Sequence, residues 1–128
     1  MEKRHNPLSI FIADHEPDVR QALRLVCEES LGLTIAAEAA DSNDLLAQLT
    51  AADPDILLLE WELPGLKPSA LINQLRTNHS VYVIVTGGQA EIRTRAFEAG
   101  ADGFVYKGDP PNQLINLLRT FGGTQPFE

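Results

Sequence analysis

Five short apolar runs recur along the chain: Leu8–Ala13, Leu33–Ala37, Ile56–Leu59, Val81–Val85 and Phe104–Tyr106. They alternate with stretches whose apolar residues repeat at helical spacing. Several runs are continuously apolar, the pattern of parallel strands covered on both faces by helices. Leu57, Leu58 and Leu59 are weak strand formers, so their assignment rests on this alternation rather than on propensity.

Between the runs the period is helical. Val19, Ala22, Leu23, Val26 and Cys27 make one apolar face, with Pro17 suited to the first turn and Gly32 to the stop. Leu45, Leu46 and Leu49 mark a second helix, with Asp41 and Ser42 as candidate caps. Ala70, Leu71 and Leu75 mark a third, and Ile92, Ala96 and Phe97 a fourth. Leu114, Leu117, Leu118 and Phe121 mark a fifth, entered through Pro110-Pro111 and closed by Gly122-Gly123. Pro54 is expected to open the third strand, where a missing N–H is tolerated.

Five βα units in 128 residues predict an open parallel sheet with right-handed crossovers. The length is too short for an eightfold barrel. The expected architecture is a three-layer α/β, flavodoxin-like (βα)5 fold with strand order 2-1-3-4-5. One domain over residues 1–128 is expected, with its core at about 8–121 and short tails. The site of such a sheet lies beyond the strands' carboxyl ends, at the switch point between strands 1 and 3.

Charge and cysteine usage narrow the function classes. Ten Lys and Arg against 18 Asp and Glu give a formal charge of −8, which disfavours direct nucleic-acid or anionic-membrane contact. A single cysteine, Cys27, excludes an internal disulfide framework and suits a reducing compartment. On an apolar helix face it reads as a buried, inert thiol. No stretch approaches the ~18 apolar residues of a membrane span. The residues from Met1 to Pro7 lack the apolar run of a signal peptide. A cytoplasmic protein is expected.

At the carboxyl edge, strand 1 is followed by Asp14-His15-Glu16 and strand 3 by Glu60-Trp61-Glu62. Strand 4 ends in Thr86-Gly87-Gly88 and strand 5 in Lys107. Acids, a hydroxyl and a lysine thus converge from four distant segments. This set suits phosphoryl handling. A carboxylate can be a nucleophile, neighbouring carboxylates can hold Mg²⁺, and lysine and hydroxyl can neutralise phosphoryl oxygens. The same acids with His15 could instead assemble a transition-metal site, although one histidine among solvated acids more often binds nothing. Trp61 beside them is a fluorescence reporter rather than a ligand contact. A flavodoxin-type cofactor carrier would need a hydroxyl- and glycine-rich loop after strand 1, and Asp14-His15-Glu16-Pro17-Asp18 is acidic instead.

In four segments the chain resembles the response-regulator receiver domains of two-component signalling, over about Ser9 to Phe121. The carriers are Ile12-Ala13-Asp14-His15-Glu16-Pro17, Leu57-Leu58-Leu59-Glu60-Trp61-Glu62-Leu63-Pro64-Gly65, Val85-Thr86-Gly87, and Ala99-Gly100-Ala101-Asp102-Gly103-Phe104-Val105-Tyr106-Lys107. The wording is most similar to receivers that precede helix-turn-helix output domains. The resemblance implies that Asp14 is the first of the family's acidic pair and that Thr86 is the switch hydroxyl. It likewise makes Phe104 the switch aromatic and Lys107 the family's lysine. Glu62 belongs to the same acidic pocket.

Three positions depart from that pattern. Glu60 stands where the family has its phosphoaccepting aspartate, His15 where a second metal-binding acid is usual, and Gly108 where proline is common. The extra methylene of Glu60 displaces its carboxylate by roughly 1.5 Å, against the tight placement that in-line attack demands. Imidazole is a poor partner for Mg²⁺. The expectation is a non-enzymatic pseudo-receiver that needs no cofactor and binds no metal. It would act through a signalling partner, a histidine kinase or an output protein, and could form a homodimer. The alternative is a Mg²⁺-dependent phosphoacceptor controlling transcription. Glu60 itself has two readings, a built-in mimic of the phosphorylated state or a static ion pair with Lys107; Asp14 could equally take Lys107.

Overall fold

A computed structural model of the chain describes residues 8–121. Five parallel strands, β1 (Ser9–Ala13), β2 (Thr34–Ala39), β3 (Ile56–Glu60), β4 (Tyr82–Gly87) and β5 (Gly103–Tyr106), lie in the order β2-β1-β3-β4-β5. This is the expected doubly wound, flavodoxin-like arrangement. The helices are α1 (Pro17–Leu25), α2 (Ser42–Ala52), α3 (Pro68–Asn78), α4 (Ala90–Glu98) and α5 (Pro111–Phe121). α1 runs on into one π-helical turn, Val26–Ser30.

The apolar runs have a direct cause in this layering. Phe11, Ala13, Leu57, Leu59, Val83 and Val85 point to one side of the sheet, where Leu45, Leu71, Leu75 and Ala96 cover them. Ile10, Ile12, Ile56, Leu58 and Ile84 point to the other, against Cys27, Leu114 and Leu118. Alternate side chains thus enter two different cores, so both phases of the strand must be apolar. Each such burial contributes ~1.5–3 kcal/mol relative to exposure. Along β3 the run breaks only at Glu60.

Several boundaries differ from the sequence reading. β2 extends to Ala39 and β4 to Gly87, while Leu33 and Val81 are buried just ahead of their strands. Glu60 is the last residue of β3, paired with Thr86 of β4, rather than a residue that follows the strand. Pro54 does not open β3. Asp53, at φ 44°, ends α2 in a left-handed cap, and the strand begins at Ile56. Ala70 is exposed and Ile72 takes its expected place in the core. Phe97 is also exposed, with the Arg93 guanidinium 5.1 Å above its ring. α1 buries no residue fully, because its apolar side lines a cavity of about 390 Å³ shared with α5. Asp41 caps α2 as expected, accepting from the Asp44 amide at 2.8 Å. Gly122-Gly123 lie outside the described residues.

The loop after β3 is fastened to α2. The Ser42 amide donates to the Pro64 carbonyl, and the Ser42 hydroxyl accepts from the Leu66 amide at 2.8 Å. Gly65, at φ +116°, lies so close that a Cβ there would stand 1.9 Å from Ser42 Oγ. Gly65→Ala is expected to lower the unfolding free energy by about 1–3 kcal/mol through strain and the lost seat of the hydroxyl. Gly88→Ala, at a position where a Cβ meets nothing within 4 Å, should be near neutral. Urea denaturation of the two variants measures the contrast.

Candidate functional site

The β1–α1 turn, the end of β3 and the end of β5 meet at the sheet's carboxyl edge. Asp14, directly after β1, is 1% exposed and Glu60, the last residue of β3, is 3% exposed. Two adjacent desolvated carboxylates are costly unless compensated. Compensation comes chiefly from Lys107, one residue past β5. Its ammonium lies 3.0 Å from Asp14 Oδ2, 3.0 Å from Glu60 Oε2 and 3.3 Å from Glu16 Oε1. The contact to Glu60 is an aligned hydrogen bond. The contact to Asp14 is an ion pair without that alignment, and Asp14 Oδ2 has no other donor.

His15 supplies the remaining compensation. Its backbone N–H donates to Glu60 Oε1 at 2.8 Å, and its ring Nδ1 lies 2.8 Å from Oε1 and 2.9 Å from Oε2. Both oxygens of Glu60 are therefore engaged. The turn that presents His15 is itself held: the Glu16 amide donates to Asp14 Oδ1, and Arg20 Nη1 donates to the Asp14 carbonyl, 2.8 Å away. Arg20 also meets Glu38 of β2 at 3.4 Å.

The electrostatics follow from these contacts. Burial alone would raise the pKa of Glu60, but the His15 amide, the His15 ring and Lys107 outweigh it and hold the carboxyl below its usual value. The hydrogen bond and charge of Glu60 raise His15 above the ordinary histidine value. Burial would lower Lys107, yet its bonds to Glu60 and Asp14 reverse the sign and raise it. With His15 protonated, Asp14 and Glu60 face two cations and the inner cluster is neutral. Cys27, on the far side of α1, is pushed up to about 12 by burial and by Glu28, in keeping with an inert thiol.

Asp14, His15, Glu60 and Lys107 are thus brought together as the sequence predicts. Glu62 is exposed on the turn after β3 and is not among the residues that meet in the cluster. Thr86 is buried in β4 beside Glu60 and lines the cavity between α1 and α5 rather than bonding the carboxylate. Phe104 is half-buried against the core, edge-on to Tyr106 at 4.9 Å. Trp61 packs on the core under the Arg95 guanidinium, 5.9 Å from its ring. Two roles escape the sequence reading. His15 is a partner of Glu60 rather than merely a missing acid, and Arg20 anchors the turn. Arg20 lies one helical turn beyond Glu16, which is the signal that could have found it.

A family model for the response regulator receiver domain matches residues 10–119, and the chain belongs to that family. It is 27% identical over 115 residues to the uncharacterized transcriptional regulatory protein YxjL of Bacillus subtilis (strain 168), covering 88% of this chain and 53% of that protein. It is 30% identical over 115 residues to the phosphate regulon transcriptional regulatory protein PhoB of Escherichia coli (strain K12), covering 86% and 49%. The chain spans about half the length of these curated relatives. The isolated receiver domain of RcsB from Salmonella enterica serovar Typhimurium, solved with the phosphomimetic BeF3⁻, superposes with a TM-score of 0.81 at 25% identity. That match covers 94% of this chain and 92% of the other.

The fold family implies Mg²⁺ at this edge, and the residues present do not fit it. Both Glu60 oxygens are committed to His15 and Lys107, and an imidazole stands among the required oxygen donors. Two tests of the cluster follow. Lys107→Met should destabilise the fold by about 3 kcal/mol, because two carboxylates lose their shared cation, and adding Glu60→Gln should recover part of that loss in the same denaturation assay. In chelator-containing buffer, the His15 contribution is complete below about pH 6.5 and is lost as pH rises through its raised folded value. The Glu60 contribution is present above about pH 4.3 and is lost as pH falls through its lowered value. Thermal unfolding against pH should show both limbs, and His15→Ala should flatten the alkaline one.

Proposed function

We propose that this receiver domain signals without phosphorylation, its output surface set by a permanently charged Glu60 and read by a protein partner. The observation that carries the reading is the occupancy of the Glu60 carboxylate. Both oxygens are satisfied by His15 and Lys107 in a site where the chain's own cations balance the acids. A phosphoryl donor meets no free nucleophilic oxygen there, and Mg²⁺ is not needed to neutralise the pocket.

Burial of Glu60 against Lys107 supports a permanently charged carboxylate, the contact that the mimic and the static ion pair both require. The charge is one unit against nearly two for a phosphoryl group, so the mimicry is partial. The partner is a two-component protein, a histidine kinase or an output protein, reached through protein–protein contact; self-association is a further route. The chain's charge of −8 opposes direct contact with nucleic acid. The domain itself performs no catalysis, and its working compartment is the cytoplasm. Among the described residues, no helix is long and apolar enough to cross a membrane.

The test is incubation with acetyl phosphate and Mg²⁺, read by intact mass. Labelling of the natural chain should be at least ~100-fold slower than that of Glu60→Asp/His15→Asp, which restores the acceptor and a hard oxygen ligand. Labelling of the natural chain at Glu60, at a rate comparable with the double variant, would instead establish a phosphoacceptor.

A further inference from the structure

We propose that the cavity between α1 and α5 binds a small amphipathic organic cation, a primary amine carried on an apolar stem. Its volume, about 390 Å³, lies in the range of small-molecule sites. The walls are mainly apolar: Val19, Leu23 and Val26 of α1, Val105 of β5 and Leu114 of α5. No residue of α1 is fully buried, so this helix face lacks a complete apolar partner among the described residues. An apolar stem placed there would gain ~25 cal/mol for each Å² it removes from water.

An independent observation marks the place of a polar head. Thr86 is 7% exposed and lines the cavity, yet its hydroxyl has no hydrogen-bond partner among the described residues. A hydroxyl largely removed from water gains when a ligand supplies a donor. The remaining polar lining gathers at the same end: Glu16 and Asp18 lie where α1 begins, and Lys107 to Asp109 follow β5. The cavity is therefore apolar along one part and polar at the sheet's carboxyl edge.

The charges at that end fix the sign of the head. Lys107 is the cation of the lining, and Asp14, Glu60 and Glu16 already share it. Asp18 and Asp109 are exposed, and their carboxylates have no ion pair among the described residues. Gly108, at φ +93°, turns the chain in a way closed to the proline common in the family, and the Asp109 amide donates to the Tyr106 carbonyl. An ammonium would meet carboxylates that the fold leaves uncompensated and a hydroxyl able to accept from it. A carboxylate head would meet like charge, and a neutral one would gain little beyond the walls.

The experiment titrates the isotope-labelled full chain with heptylamine, heptanol or heptanoate, three probes on one stem, and follows amide shifts by NMR. We expect saturable shifts at Leu23, Thr86, Val105 and Leu114. Heptylamine should bind at least ~5-fold more tightly than heptanol, with heptanoate weaker still. Asp18→Asn/Asp109→Asn, at two exposed positions, should bring amine and alcohol within ~2-fold of each other. Thr86→Val should weaken the amine ~3–10-fold. Leu23→Trp, which fills the space, should abolish binding of all three, and the amide spectrum shows whether each variant is folded. The proposal is overturned by absence of saturable shifts, by shifts away from the cavity, or by alcohol or heptanoate binding as tightly as the amine. An amine preference that survives Asp18→Asn/Asp109→Asn, or binding undiminished in folded Leu23→Trp, would overturn it too. The same shifts on concentrating the free chain would overturn it in favour of a second copy as the occupant.

Discussion

Two carboxylates removed from water at the end of a parallel sheet are the constraint on which the rest of this site depends. Asp14 and Glu60 arrive on adjacent strands, β1 and β3, so the sheet order places them side by side whatever the loops do. Lys107 therefore has to reach across from β5, and His15 has to fold back over Glu60. The β1–α1 turn takes its shape from that need, and Arg20 stiffens it by tying the Asp14 carbonyl to Glu38 of β2.

The same constraint separates what was legible in the chain from what was not. The strand order and the two-sided core follow from continuous apolar runs, and these are strong signals because every side chain in them is buried for its own reason. The Asp41 cap follows from local hydrogen-bond chemistry. Helix faces read less clearly. Ala70 and Phe97 lie on apolar stripes, but one residue of helical phase decides between Ala70 and Ile72, and Phe97 finds Arg93 instead of the core. Propensity carries no information on a cation that happens to lie above a ring.

At the site, residue identity and sheet position located four of the seven expected side chains in one cluster. Glu62 fell outside: it is exposed on the turn after β3, a matter of loop geometry that spacing alone does not express. His15 was legible as a departure from the family and illegible as a partner. Treating a substitution as a loss hides what the new side chain can do. Here its amide and its ring both meet the Glu60 carboxylate.

The π-helical turn at Val26–Ser30 has a mechanical consequence for this arrangement. A π turn carries an extra residue relative to α geometry, so the segments before and after it are phased independently. Ahead of it, Arg20 and Arg24 are set on Glu38; within it, Cys27 is set in the core. Removing the surplus residue would rotate Pro17–Leu25 by about 100° relative to Cys27. The turn thus acts as an offset coupling, letting one rod answer to the charged rim at one end and to the apolar interior at the other.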